Sequence, residues 1–135
     1  HKHRQSDTAQ VLSLRLSEIY QPGDLVVLEA DRLWQSLDYH YPAIRTRAVH
    51  RYISAAWAAA DTTLPHAARA AGATLQAGDT VYVSSAILPE LWQELTSFAA
   101  VAPEELDKEQ VFVFSDSEAA EREHQLYRLQ RRERP

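Results

Sequence analysis

The segment 21–34, QPGDLVVLEADRLW, constrains the fold more than any other part of the chain. Pro22-Gly23-Asp24 is turn chemistry, because proline presets φ and glycine tolerates backbone angles that other residues avoid. Leu25-Val26-Val27-Leu28 follows as an unbroken apolar run, as in a strand covered on both faces within a parallel sheet. Glu29 and Asp31 stand where that strand ends. In open α/β sheets the carboxyl ends of strands are where ligands bind.

The rest of the chain repeats this grammar. A first helix is expected from Ser6 or Asp7 to about Tyr20, with Val11, Leu12, Leu14, Leu16 and Ile19 as a mixed apolar face and Pro22 beyond its end. A short helix over 32–38 turns Leu33, Trp34 and Leu37 inward, and Tyr39-His40-Tyr41-Pro42 breaks it. Residues 44–60 suit a helix by their alanines and a strand by the alternation of 47–53. The need for a second parallel strand favours a strand near 48–53. A helix over 64–75 has Pro65 in its first turn. Gly78-Asp79 repeats the Gly23-Asp24 turn, and a strand over 80–84 ends in Ser84-Ser85. A helix over 89–98 buries Leu91, Trp92 and Leu95. Val111-Phe112-Val113-Phe114 is a further buried strand, ending in Ser115-Asp116. A polar helical turn over 118–123, a final edge strand over 124–129 and a frayed end over 131–134 complete the reading. Strands alternating with helices predict one α/β domain over 1–135. It is a small three-layer, Rossmann-like domain with a mainly parallel sheet of about four to five strands.

Composition excludes several functions. The net charge of −5 argues against nucleic acid as a partner, since that binding needs a basic face. The chain has no cysteine, which removes disulfides, thiolate catalysis and thiolate zinc sites. Its three glycines, Gly23, Gly72 and Gly78, make neither a G-x-G-x-x-G turn nor a P-loop, so no nucleotide cofactor is expected. No apolar run approaches the roughly 20 residues that span a bilayer. The chain has no methionine and opens on His1-Lys2-His3-Arg4. It therefore reads as a piece of a longer protein, and such basic clusters often follow a membrane span.

The candidate functional residues lie at the expected strand ends. Glu29 and Asp31 suit a sugar hydroxyl, a divalent cation or acid/base work as a carboxylate pair. Asp31 also suits a helix N-cap, with Glu29 solvated, and capping preferences favour that reading. Ser84, Ser85 and Asp116 end two other strands and are expected to share a rim with Asp31. A triad of Ser84 or Ser85 with His40, His50 or His66 lacks the G-x-S-x-G elbow that exposes a nucleophile. His1, His3 and Asp7 have metal-ligand spacing but lie at a chain end without supporting groups. Trp34, Tyr39, Tyr41, Trp57 and Trp92 suit sugar stacking or core packing. Tyr39 and Tyr41, at a helix break, are the better surface pair.

These features in order resemble one kind of membrane-enzyme tail. His3-Arg4, Asp7, a helix, Pro22-Gly23-Asp24, an apolar strand with an acidic end and Leu33-Trp34 carry the first part of the likeness. Gly78-Asp79-Thr80-Val81-Tyr82-Val83 and Leu126-Tyr127-Arg128-Leu129 carry the second. The chain is similar to the soluble C-terminal region of multi-pass GT-C-type glycosyltransferases, in particular the bacterial protein O-mannosyltransferase-like family. It departs from that pattern at Glu29-Ala30-Asp31-Arg32 and around residues 43–47. The resemblance implies an accessory domain on the extracytoplasmic face of the membrane, inactive alone, with no cofactor and no catalytic residue of its own. Its partners would be the membrane portion of the same polypeptide and a lipid-linked sugar or protein acceptor. Glu29, Asp31, Tyr39, Tyr41, Ser85 and Asp116 would make the contacts. The alternative is a free-standing α/β protein-binding or regulatory domain.

Overall fold

A computed structural model of the chain describes residues 7–50, 59–98, 101–115 and 123–132. The described elements run α1 (Asp7–Ile19), β1 (Leu25–Glu29), α2 (Arg32–His40), β2 (Thr46–Val49), α3 (Leu64–Gln76), β3 (Val81–Ser84), α4 (Leu88–Ser97), β4 (Leu106–Ser115) and β5 (Glu123–Arg131). Short 3-10 turns at Ala60–Thr62 and Pro103–Glu105 precede α3 and β4. Proline opens both α3 and α4, where its missing N–H has no helical partner to lose. The ambiguous stretch resolves as a strand where it is described, but β2 begins at Thr46 and ends at Val49. The remainder of that expected strand, the expected turn over 118–122 and Trp57 lie outside the described residues. Among the described residues no helix is long and apolar enough to cross a membrane.

The five strands form one sheet in the order β2-β1-β3-β5-β4. β1 pairs in parallel with β2 and β3, whereas β5 is antiparallel to both β3 and β4. The sheet is thus mixed rather than mainly parallel. The cause is the connection from β4 to β5. Residues 116–122 separate these strands, fewer than the dozen or so that a parallel crossover requires. The pairing also corrects the expected position of the last strand. β5 is an interior strand and β4 forms the edge. Nor is the end frayed at Arg131 and Arg132. Arg131 completes β5, and the Arg132 N–H donates to the Glu105 carbonyl at 2.6 Å.

Alternation along the strands divides the core between the two faces of the sheet. Leu25 and Val27 of β1, Val81 and Val83 of β3 and Leu129 of β5 pack with Ala67, Ala71 and Leu75 of α3 and Leu91 and Leu95 of α4. Val26, Leu28, Tyr82, Leu126 and Phe114 pack with Leu12 and Leu16 of α1 and Leu33 and Leu37 of α2. Trp92 joins the first cluster only partly buried, with the Lys108 ammonium 5.4 Å from its ring centroid.

The two Gly-Asp turns meet at the amino-terminal ends of β1 and β3. Gly23 has φ +98°, and a Cβ there would lie 2.8 Å from Asp79 Oδ2. Buried Asp24 accepts hydrogen bonds from the N–H of Gln21 (2.9 Å) and of Thr80 (3.0 Å), tying one turn to the other. Tyr20 Oη accepts from the Arg45 N–H at 3.0 Å and donates to the Asp24 carbonyl at 3.2 Å, so α1 ends in the same knot.

Tyr82 Oη donates to the Ile19 carbonyl at 3.3 Å. Burial, and then the Asp24 carboxylate, raise this phenol above its ordinary value of 10.0, with Arg128 opposing. The native state therefore keeps a proton that the unfolded chain releases. Stability is intact below the unfolded value and falls as pH rises through the native one. Tyr82→Phe is expected to flatten the loss of urea stability between about pH 9 and pH 11. An unchanged slope would show that Tyr82 does not set it.

Candidate functional site

β4 runs in the same direction as β1, β2 and β3, because it is antiparallel to the one reversed strand. Four carboxyl ends therefore share one rim. The rim carries Glu29, Asp31, Ser84 and Ser85. Asp116 follows the last residue of β4 and lies outside the described residues, as do His1 and His3.

Each described rim residue has a local reason for its place. Asp31 is the N-cap of α2, in extended backbone, and its Oδ1 accepts from the Trp34 N–H at 3.1 Å. This satisfies one of the unpaired donors of the first helical turn. Trp34 Nε1 donates to Thr46 Oγ1 at 3.2 Å, and that hydroxyl donates to Asp38 Oδ1 at 3.2 Å, fixing α2 to β2. Asp31→Ala is expected to cost about 1 kcal/mol of stability. Chemical denaturation tests this, and no loss would mean the cap contributes nothing. Ser85 is held by β5: its N–H donates to the Gln125 carbonyl at 2.8 Å, and its Oγ accepts from the Gln125 N–H at 3.1 Å. Glu29 is buried rather than solvated, at 7% exposure.

Between these ends lies a small cavity of about 10 Å³. Leu28, Leu33 and Phe114 form its apolar lining, and Glu29, Asp31, Ser84 and His124 its polar lining. Ser84 Oγ accepts from the Ala86 N–H at 3.3 Å. The His124 ring stacks on Phe114 with centroids 5.4 Å apart and is 7% exposed. The space suits about one water molecule or the tip of a ligand, not a whole substrate. Among the described residues no group of three His, Asp or Glu side chains is placed to hold a metal ion.

His124 is the rim residue that sequence reading missed. The available signal was alternation with Leu126, which puts both side chains on one face. An edge-strand reading of 124–129 hid it, because that reading left open which face of the strand the fold buries. His40, His50 and His66 do not line the cavity.

The structure parts the two tyrosines from the rim. α2 starts at the carboxyl edge and runs back along the sheet, so nine residues, about 13 Å of helix, carry the chain to the other end. There a wide groove of about 800 Å³ opens between α1 and residues 40–44. Gln10, Ser13, Leu14 and Ser17 form one wall, and His40, Tyr41, Pro42 and Ala43 the other. Leu14 is 67% exposed and Tyr39 58% exposed, with Tyr39 edge-on to the His40 ring at 4.9 Å. The five expected contact residues that are described thus lie at two ends of the sheet. Glu29, Asp31 and Ser85 lie at the rim, Tyr41 lines the groove, and Tyr39 sits on the same far end of α2.

Comparison with known proteins finds no match to a family model, a curated protein or a solved structure.

Proposed function

We propose that this chain is a non-catalytic accessory domain, Rossmann-like and three-layered, on the extracytoplasmic face of a multi-pass GT-C-type glycosyltransferase. It packs against the membrane portion of the same polypeptide and helps to position a lipid-linked sugar or protein acceptor. The observation that supports this most is the contrast between two hollows among the described residues. The rim cavity has room for about one water, while the groove along α1 is some 800 Å³ and open. A wide groove of this size beside an exposed leucine suits docking of a partner segment or ligand. The wall of that groove is α1, and the basic run His1-Lys2-His3-Arg4 precedes α1 in the sequence. A domain tethered through that run presents α1 toward the membrane portion. Tyr39 and Tyr41 then serve the docking face. Glu29, Asp31 and Ser85 offer polar contacts at the other end, and Asp116, outside the described residues, completes the proposed contact set.

The test uses the full-length gene product in membranes. Leu14→Glu and Tyr41→Ala are expected to lower glycosyl transfer and to abolish cross-linking from position 14 to the membrane portion. Leu14→Glu should leave the domain's own stability within about 0.5 kcal/mol, since Leu14 is 67% exposed. Unchanged transfer and unchanged cross-linking would defeat the reading. A parent gene without membrane spans would leave the free-standing protein-binding domain in its place.

A further inference from the structure

Two buried polar side chains at the rim carry hydrogen-bonding capacity that the fold leaves unused. Ser84, 4% exposed, ends β3, and its Oγ accepts from the Ala86 N–H at 3.3 Å. Its own O–H reaches no acceptor among the described residues. His124, 7% exposed, lies opposite Phe114 and stacks on that ring. Neither of its ring nitrogens has a hydrogen-bond partner among the described residues. A neutral imidazole has one N–H to give and one nitrogen lone pair to fill. Leaving such groups unmet inside a protein is costly.

Both side chains line the same cavity of about 10 Å³. The sheet holds them there. Ser84 lies opposite Leu126, and His124 precedes Leu126 by two residues on the same face. The chemistry of the wall narrows what can enter. The volume admits one group the size of a water molecule. Glu29 and Asp31 bring negative charge to the lining, which disfavours a carboxylate or a phosphate. An ammonium group has donors only, so it would leave the Ser84 O–H and the imidazole N–H without an acceptor. A hydroxyl both gives and takes hydrogen bonds. The apolar part of the wall, Leu28, Leu33 and Phe114, suits the carbon that carries it.

We infer that the rim cavity seats one hydroxymethyl group of a ligand. Its oxygen takes hydrogen bonds from Ser84 and His124, and its methylene packs against Leu28, Leu33 and Phe114. A sugar and a serine residue present this same CH2OH chemistry. A hydroxyl bonds as water does, so it competes with solvent for the cavity on equal terms. The inference deepens the positioning role proposed above and rests on it for the source of the ligand. The binding itself needs no membrane portion.

Methyl β-D-glucopyranoside and N-acetylserine amide are the probes, each titrated into the 135-residue chain and followed by NMR. At least one is expected to shift the His124 ring and Ser85 amide resonances to saturation. Its counterpart without the oxygen is expected to bind about tenfold more weakly. That counterpart is the deoxy glucoside with methyl in place of hydroxymethyl, or N-acetylalanine amide. Saturation by the glucoside alone assigns a sugar, and by the serine amide alone a peptide acceptor. His124→Phe and Ser84→Ala are each expected to weaken binding about tenfold. Circular dichroism checks folding, and Ser84→Ala carries the test if His124→Phe does not fold. Saturation by neither probe overturns the site. So does equal binding of the oxygen-free counterparts, tighter binding of ethylammonium, or an affinity unchanged in the variants. A wild-type chain that binds a probe but gives no cross-link from Leu14 to a membrane portion refutes the docking reading and leaves this site standing.

Discussion

Asp24→Ala is expected to lower the free energy of unfolding by about 3–5 kcal/mol, a large share of what a single domain has. Two backbone N–H groups, from Gln21 and Thr80, donate to this carboxylate at 2.9 and 3.0 Å. Each hydrogen bond to a charged acceptor contributes about 1.5–3 kcal/mol. Alanine leaves both donors stranded beside a carboxylate position that is 4% exposed. The damage reaches beyond one turn, because Gln21 belongs to the entry of β1 and Thr80 to that of β3. Asp24→Asn keeps an acceptor oxygen and is expected to lose about half as much. Urea unfolding monitored by tryptophan fluorescence measures both. A loss for Asp24→Ala within about 1 kcal/mol would mean that water replaces the carboxylate, and that the knot between the turns adds little.

Leu126→Ala is expected to cost about 3–4 kcal/mol. Its side chain is fully buried, opposite Ser84 of β3 on one side and Phe112 of β4 on the other. It fills the space between the sheet and the helices α1 and α2. Removing three carbons there opens a cavity that two flanking strands prevent from collapsing. Val113→Ala on β4 is the control. Val113 is exposed on the edge strand, and its loss is expected to stay within about 0.5 kcal/mol. Equal costs at the two positions would contradict the full burial of Leu126 between β3 and β4.

Much of the fold was legible in the chain. The helices began where Asp31 and the prolines Pro65 and Pro89 said they would, since capping acts over three or four residues. The Gly23-Asp24 and Gly78-Asp79 turns opened β1 and β3, and both glycines have positive φ, 98° and 86°. The candidate site was legible only in part. Glu29, Asp31 and Ser85 do stand at one rim, but Tyr39 and Tyr41 are carried away by the length of α2. Glu29 is 7% exposed where solvent was expected, and its strand end borders the small cavity that His124 and Phe114, from a distant part of the chain, help to line.

The sequence by itself settled which residues turn, cap and alternate, because those properties depend on φ preferences and side chains a few positions apart. Only the tertiary structure decided that β5 reverses and lies inside β4, that His124 faces the rim cavity, and that the two Gly-Asp turns share the Asp24 carboxylate. Each of those depends on which strand lies beside which. Strand neighbours are chosen by the burial of whole faces across tens of residues, and no local pattern encodes that choice.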